Sequence, residues 1–225
     1  MVEILYEDNH LIAVYKKSSD LAQADKTGDE PLENAVKKYI ARKYNKPGDV
    51  YLGVVHRLDR PVSGILLFAR TSKALERLNE IFRTRQVKKV YFAIVKERPP
   101  AEEGVLKNFI KKNEAQNKSY VYDSEVKGSK EATLSYKIIG RSERFYLLEI
   151  ELHTGRHHQI RAQLAKAGCP IKGDLKYGFS RSNEDGSISL FARKLEFIHP
   201  VRKEPVSITA HFPEGDIWHH FSGNF

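Results

Sequence analysis

From residue 87 onward the chain contains a series of short segments with strand character, and this series constrains the fold most. Apolar and polar residues alternate along most of these segments, which is typical of strands that bury one face of an antiparallel sheet. They cover residues 87–95, 104–110, 119–122, 132–139, 146–153, 188–197 and 206–212. Because helices only interrupt this series, the regular strand–helix alternation of a parallel sheet is excluded. We predict an α+β fold with a mixed, mainly antiparallel sheet flanked by helices and loops.

Helical spacing occurs in three places. Apolar residues from Pro31 to about residue 44 and from Ser72 to about Phe82 predict two amphipathic helices. A third helix is predicted from about Gly155 to Ala167, because Gly168 provides a stop signal after it. In the first half, residues 11–15, 50–55 and 64–69 indicate further strands. The chain shows no repeat, low-complexity tract or convincing linker, so we predict a single domain over residues 1–225.

Composition limits the functional classes. The chain contains 38 Lys and Arg residues and 29 Asp and Glu residues, which gives a net charge of +9 and indicates a polyanion as partner. A single cysteine, Cys169, excludes an internal disulfide and favours a reducing compartment. No apolar run approaches the roughly 18 residues of a membrane helix, and no signal peptide is recognisable at the start. We expect a cytoplasmic protein without membrane contact, and a monomer by default.

Three segments contain residues suited to chemistry. The loop from His56 to Gly64 places one carboxylate, Asp59, between two arginines and between two apolar strands. An Asp–Arg ion pair that caps a turn is the alternative interpretation of this loop. The segment 153–161 combines a glycine turn, hydrogen-bonding side chains and two arginines, and Tyr91 shares one face of a predicted strand with Ala93.

In this order the segments resemble the RluA-type family of RNA pseudouridine synthases. The resemblance rests on HRLDRPVSGILLFA, KKVYFAIV and LHTGRHHQIRAQLA, on residues 169–177 and on residues 195–200, and it spans about residues 11–212. It implies that Asp59 is the catalytic aspartate, Tyr91 the active-site tyrosine and Arg161 the arginine that pairs with the aspartate. It also implies a pseudouridine synthase fold around an RNA-binding cleft and a reaction without cofactor or metal. The expected substrates are rRNA or tRNA.

Conversion of uridine to pseudouridine explains why these residue types are needed. The reaction breaks the N1–C1′ bond, turns the uracil and joins C5 to C1′. An ionised carboxylate is the natural reagent at C1′, and the guanidinium of Arg161 would keep Asp59 charged and fix its rotamer. The ring of Tyr91 would stack on the uracil, and its phenol would accept or relay the C5 proton.

A base inside folded RNA must be flipped out, and basic side chains must offset the cost. We expect Arg57 and His56 to fill the vacated stack or to hold flanking phosphates. For Arg60 two alternatives stay open, a structural ion pair and a contact with RNA. The other predicted RNA contacts are Arg83, Arg85, Lys88, Lys89, Arg156 and His158.

Three departures from the family pattern keep an alternative open. K-P-x-G is here Lys16–Ser19, L-H-A is here residues 190–192 with Phe191 in place of histidine, and a frequent threonine is here Val62. They motivate a non-catalytic RNA-binding protein that retains the synthase scaffold. We also expect no small S4-like RNA-binding domain in front of the catalytic domain.

Two other readings are weaker. A glycosidase would need a second carboxylate, for which Asp174 is the only nearby motif candidate. A metal site at His157 and His158 is disfavoured, because adjacent side chains on a helix are expected to point apart.

Overall fold

The computed structural model describes residues 2–22, 30–215 and 217–223. The chain divides into two compact units, one formed by residues 1–88 and 192–211 and the other by residues 89–191 and 212–225. A single domain over residues 1–225 stays a prediction. Over the described ranges, none of the helices has both the length and the apolar character that crossing a membrane requires.

Eleven strands and four α-helices follow one another along the described residues. In chain order they are β1 (Ile4–Glu7), β2 (Leu11–Lys16), α1 (Leu32–Lys43), β3 (Gly53–Val54), β4 (Ser63–Ala69), α2 (Ser72–Arg83), β5 (Val87–Val95), β6 (Glu103–Asn113), β7 (Lys118–Tyr122), β8 (Lys130–Arg141), β9 (Tyr146–Leu152), α3 (Gln159–Lys166), β10 (Leu190–Ile198), β11 (Pro205–Thr209) and α4 (His219–Ser222). A single 3-10 turn, Leu175–Tyr177, lies between α3 and β10.

In the first unit the strands neighbour one another in the order β1-β2-β4-β10, with β3 on β4 and β11 on β10. Strands β2 and β4 are buried along their whole length, and their residues are apolar except for Lys16 at the end of β2 and Ser63 at the start of β4. Helix α1 packs Val36 and Ile40 against Ile12 and Phe68 of these strands. Helix α2 begins after Thr71, whose hydroxyl accepts a hydrogen bond from the amide of Ala74.

In the second unit the order is β5-β9-β8-β6-β7, and every neighbouring pair is antiparallel. Helix α3 covers one face, where the side-chain amide of Gln163 donates to the carbonyls of Leu106 and Ala132. An aromatic cluster of Phe92, Phe191, Phe212 and Trp218 forms a second part of the core. The predicted α+β class with a mainly antiparallel sheet is confirmed.

Two predicted elements are at least four residues shorter in the structure than the sequence indicates. The strand predicted over residues 50–55 shrinks to β3, Gly53–Val54. Helix α3 begins at Gln159 rather than Gly155, because His158 adopts a left-handed conformation (φ 53°) that a helix interior excludes. The side chain of Gln159 holds this turn, accepting from the hydroxyl of Thr154 and the amide of Arg156.

Candidate active site

The loop that carries Asp59 connects β3 to β4 in the first unit. Leu58 anchors the loop in the core, whereas Arg57 and Arg60 on either side are exposed. The amide of Val62 donates to the carbonyl of Asp59 at 3.0 Å and closes a turn, which leaves the Asp59 side chain half-buried. A carboxylate on a closed turn next to a fully buried strand is held by a rigid scaffold.

A buried lysine holds this loop through hydrogen bonds to its backbone carbonyls. Lys16, at the end of β2, is completely buried, and its ammonium donates to the carbonyls of Lys17 (3.0 Å), Arg60 (3.0 Å) and Val62 (2.7 Å). Three acceptors use all three N–H groups of the ammonium. Burial lowers the pKa of Lys16 to about 8, against the opposing charges of Asp20 and Asp59. Asp59 therefore lies in the field of a buried cation that sequence reasoning missed.

His56 stabilises the start of the same loop. Its Nε2 accepts a hydrogen bond from the amide of Leu67 at 3.1 Å, and its ring stacks on Phe82 of α2 with centroids 5.2 Å apart. An Nε2 that accepts belongs to a neutral ring with its proton on Nδ1. The structure thus gives His56 a role in the scaffold, and its contact with RNA stays a prediction.

Arg161 lies on α3 in the second unit and forms a buried ion pair. Its Nε and Nη2 donate to Oδ2 and Oδ1 of Asp174 at 2.7 and 2.9 Å, a two-point contact in which both side chains are almost fully buried. Asp59, the partner implied by the family resemblance, belongs to the other unit, and that pair stays a prediction. Asp174 thus anchors Arg161. The glycosidase hypothesis needs Asp174 as a second catalytic carboxylate, and this buried ion pair does not fit that role.

Tyr177 joins several polar groups around Arg161. Its hydroxyl accepts from the amide of Ser119 at 2.8 Å and lies 3.0 Å from Nδ1 of His158, while its ring lies 5.1 Å from Cζ of Arg161. His158 is correspondingly buried, at 8% exposure. Its ring stacks on His157 at 3.8 Å, so the expectation that these histidines point apart is wrong. The cause is the left-handed backbone of His158 ahead of the helix.

Tyr91 lies on β5, directly opposite Ile150 of β9. It shares a strand face with Ala93, as the alternation predicted, and both residues are buried. Tyr91 and Arg161 thus belong to the second unit and Asp59 to the first.

Comparison with known proteins decides the family. Residues 10–166 match the family model described as RNA pseudouridylate synthase. The chain belongs to the RNA pseudouridine synthase family. It is 33% identical to an uncharacterized RNA pseudouridine synthase of Chlorobaculum parvum over 95% of this chain and 71% of that protein. It is 31% identical to tRNA pseudouridine synthase C of Haemophilus influenzae over 95% and 94% of the two chains.

Other relatives are longer than this chain. Ribosomal large subunit pseudouridine synthase C of Buchnera aphidicola is 34% identical, and the match covers 92% of this chain but 66% of that protein. Among solved structures, human RNA pseudouridylate synthase domain containing 4 superimposes with a TM-score of 0.78 at 22% identity, covering 94% of this chain and 89% of the other. This likeness shows that the fold is that of a pseudouridine synthase.

The basic residues predicted to contact RNA are placed unevenly. Most of them are exposed, and these are Arg57, Arg60, Arg83, Arg85 and Lys88. Arg83 is bound by Glu80 on α2 at 2.6 Å, an exposed pair that is worth little in water. Arg156 and Lys89 are half-buried, and Nε of Arg156 donates to the carbonyl of Glu131 at 2.8 Å. Exposure suits phosphate contacts for the first group, whereas Arg156 also ties its turn to β8.

The structure accommodates two departures from the synthase pattern. The turn after Lys16 contains neither proline nor glycine, yet Lys17 and Asp20 close it through two hydrogen bonds of 3.0 and 3.2 Å. Phe191, in place of a histidine, is fully buried and packs edge-on against Phe92 and Trp218. Hydrogen bonds in the first unit and aromatic packing in the second unit therefore accommodate these two departures.

Metal-ligating side chains and the cysteine thiol are two further kinds of reactive group. In the part of the chain that the structure describes, no cluster of three metal-ligating side chains occurs. Cys169 is buried, and burial raises the pKa of its thiol to about 11. A thiol in that state is a poor nucleophile.

Proposed function

We propose that this chain isomerises specific uridines in structured RNA, rRNA or tRNA, to pseudouridine, with Asp59 as the nucleophile. Membership of the synthase family supports an isomerase. The observation that carries the assignment of Asp59 is the loop itself, whose backbone carbonyls at Arg60 and Val62 are held by the buried ammonium of Lys16. A loop fixed in this way aims one carboxylate, and preorganisation of the reacting group is a large part of enzymatic rate enhancement.

In the proposed reaction, ionised Asp59 attacks C1′ or assists departure of the uracil as a glycal forms. The positive charge of Lys16 interacts with the charge of Asp59 within the same unit. Arg161 is the second proposed counter-charge, and its planar guanidinium suits a carboxylate better than an ammonium does. Tyr91 stacks on the released uracil and takes part in removing the C5 proton.

The target uridine must leave its stack before it can react. Extrusion of a base costs a few kcal/mol, and contacts with the flanking nucleotides must offset it. Arg57, exposed beside Asp59, is the proposed residue to fill the vacated position. Exposed Arg83, Arg85 and Lys88 are proposed to hold backbone phosphates, so RNA affinity is expected to weaken steeply with salt.

The substrate is proposed only as a class. One relative is named as a tRNA synthase and another as a synthase of the large ribosomal subunit, so both RNA classes are candidates. Maps of pseudouridine in total RNA from cells with and without this protein would assign the position. We propose that the protein acts in the cytoplasm, as a monomer and without a cofactor.

Release of tritium tests the proposal against the alternative of an RNA-binding protein without activity. RNA labelled with tritium at C5 of uridine loses its label only when C5 forms the new bond to C1′. The proposal predicts release of label in proportion to the pseudouridine formed. Binding of RNA without release, over a panel of tRNA and rRNA transcripts, would favour the non-catalytic alternative.

A further inference from the structure

Arg161 is fixed by a contact that the sequence motifs do not assign. Both oxygens of Asp174 receive N–H groups of the guanidinium, from Nε at 2.7 Å and from Nη2 at 2.9 Å. Exposure of the two side chains is 6% for Arg161 and 1% for Asp174. A two-point contact of this kind fixes the plane of the guanidinium and the direction of its remaining N–H bonds.

Asp174 is itself held by its backbone. Its amide donates to the carbonyl of Ile171, and its carbonyl accepts from the amides of Tyr177 and Phe179. Gly173, at φ +88°, makes the approach to Asp174 a turn that other residues adopt only with strain. The carboxylate is therefore presented from a closed turn and not from a flexible loop.

A second support lies against the face of the guanidinium. The ring of Tyr177 is 5.1 Å from Cζ of Arg161, within the range of a cation–π contact. Its hydroxyl accepts from the amide of Ser119 and lies within hydrogen-bond distance of Nδ1 of His158, so the side chain cannot swing away from Arg161 without breaking both contacts. Asp174 thus holds one edge of the guanidinium and Tyr177 holds a face.

Stability alone is a poor reason for this arrangement. Two charges buried together lose most of their attraction to the cost of desolvation, and an apolar pair of similar volume is often as stable. A buried pair can instead contribute to the reaction rate by fixing the position of a catalytic group, because a misplacement of about 1 Å in a reacting group costs about a hundredfold in rate. We propose that Asp174 is a positioning residue for pseudouridine formation, which acts through Arg161 and is assisted by Tyr177. This inference rests on the proposed function.

A double-mutant cycle on the full chain tests it. The variants are Asp174→Asn, Arg161→Met and the combination of both, with kcat and KM measured by tritium release from labelled RNA. We expect Asp174→Asn to lower kcat by about a hundredfold while KM for RNA changes less than about threefold. In the Arg161→Met background the same change is expected to lower kcat by less than about threefold, because the residue through which Asp174 acts is gone.

A control separates positioning from general stability. Leu147 lies on β9 of the same unit and is fully buried. Leu147→Ala is expected to lower the melting temperature and to leave kcat per folded molecule unchanged. If Asp174→Asn does not fold, Asp174→Glu keeps the charge but moves it by one methylene, and it is expected to lower kcat at least about tenfold.

Three results would overturn the proposal. They are wild-type kcat in a folded Asp174→Asn or Asp174→Glu variant, rate losses that multiply in the double variant, and an Nε–H NMR signal of Arg161 that is as protected from exchange in Asp174→Asn as in the wild type. The NMR signal reports the anchoring of Arg161 without any turnover. Wild-type protein that forms no pseudouridine, with that signal protected, would instead overturn the proposed function and leave Asp174 as a structural anchor.

Discussion

The ammonium of Lys16 and the carbonyl of Val62, 46 residues apart in sequence, are joined by a buried hydrogen bond of 2.7 Å. Lys16→Met removes this bond and those to Lys17 and Arg60. The carbonyls of Arg60 and Val62 then lose this donor, whereas the carbonyl of Lys17 keeps the amide of Asp20. We expect a loss of about 2 kcal/mol in the free energy of unfolding and at least about a tenfold loss in kcat, since unsatisfied buried acceptors are costly. Urea unfolding and tritium release measure the two effects. Lys17→Met, at the exposed neighbour, is the control, and equal behaviour of the two variants would contradict this role.

The same lysine predicts a pH dependence of stability. Its pKa is about 8 in the folded state, against the ordinary lysine value of 10.5. Between these values the unfolded chain binds more protons than the folded chain, so this group makes stability rise with pH. The difference in unfolding free energy between the wild type and Lys16→Met is therefore expected to rise by up to about 3 kcal/mol across that interval of pH. A difference that stays flat or falls would show that the ammonium is not buried in solution.

Gly64 permits two strands to approach closely. Its φ is +111°, and an added Cβ would lie 2.5 Å from the amide nitrogen of Ala192 on β10 and closer still to its carbonyl oxygen. Gly64→Ala is therefore expected to cost at least about 3 kcal/mol in the free energy of unfolding, through backbone strain and overpacking together. Gly48→Ala, where an added Cβ meets nothing within 4 Å, serves as the control in the same denaturation experiment. A small change at both positions would exclude the close approach.

The secondary structure of this chain is largely predictable, since its alternating and helical patterns depend on neighbours in sequence. The sites of Lys16 and Asp174 are not. Lysine is almost never fully buried, and the acceptors of Lys16 at Arg60 and Val62 lie 44 and 46 residues away. The start of α3 is missed for a similar reason, because the left-handed His158 is fixed by tertiary contacts with Tyr177. Family motifs contain Asp174 and Tyr177, but a motif does not say which side chain they hold.

His199 predicts a second pH effect, at acid pH. The side chain is fully buried, its Nδ1 accepts from the amides of Val201 and Arg202, and its Nε2 lies 3.0 Å from Oδ2 of Asp8. Burial lowers the pKa of His199 from 6.5, against the opposing charge of Asp8. The stability that the neutral ring provides is present above 6.5 and is lost as the pH falls through the lowered pKa.

Urea titrations over this acid range measure the effect. His199→Asn, which keeps an acceptor near the position of Nδ1 but has no proton to gain, is expected to flatten the decline. An unchanged decline in that variant would assign the acid sensitivity to other groups.

Cys169 is expected to be inert in the native protein. Its thiol is fully buried, and its pKa of about 11 leaves little thiolate at neutral pH. Reaction with a thiol reagent should be at least about a hundredfold slower in the native protein than in guanidinium, in which the single cysteine reacts fully. Rapid labelling without loss of structure would contradict the burial of this segment.

Asp59→Asn tests the central claim most directly. The substitution keeps the shape of the side chain and removes the negative charge, so the fold and the affinity for RNA should persist while the nucleophile is lost. We predict that release of tritium from C5-labelled uridine RNA falls at least about a thousandfold, with wild-type circular dichroism and RNA binding. Asp49→Asn, at an exposed carboxylate of the same unit, should retain full release. Wild-type release by a folded Asp59→Asn variant would contradict the assignment of Asp59 as the nucleophile.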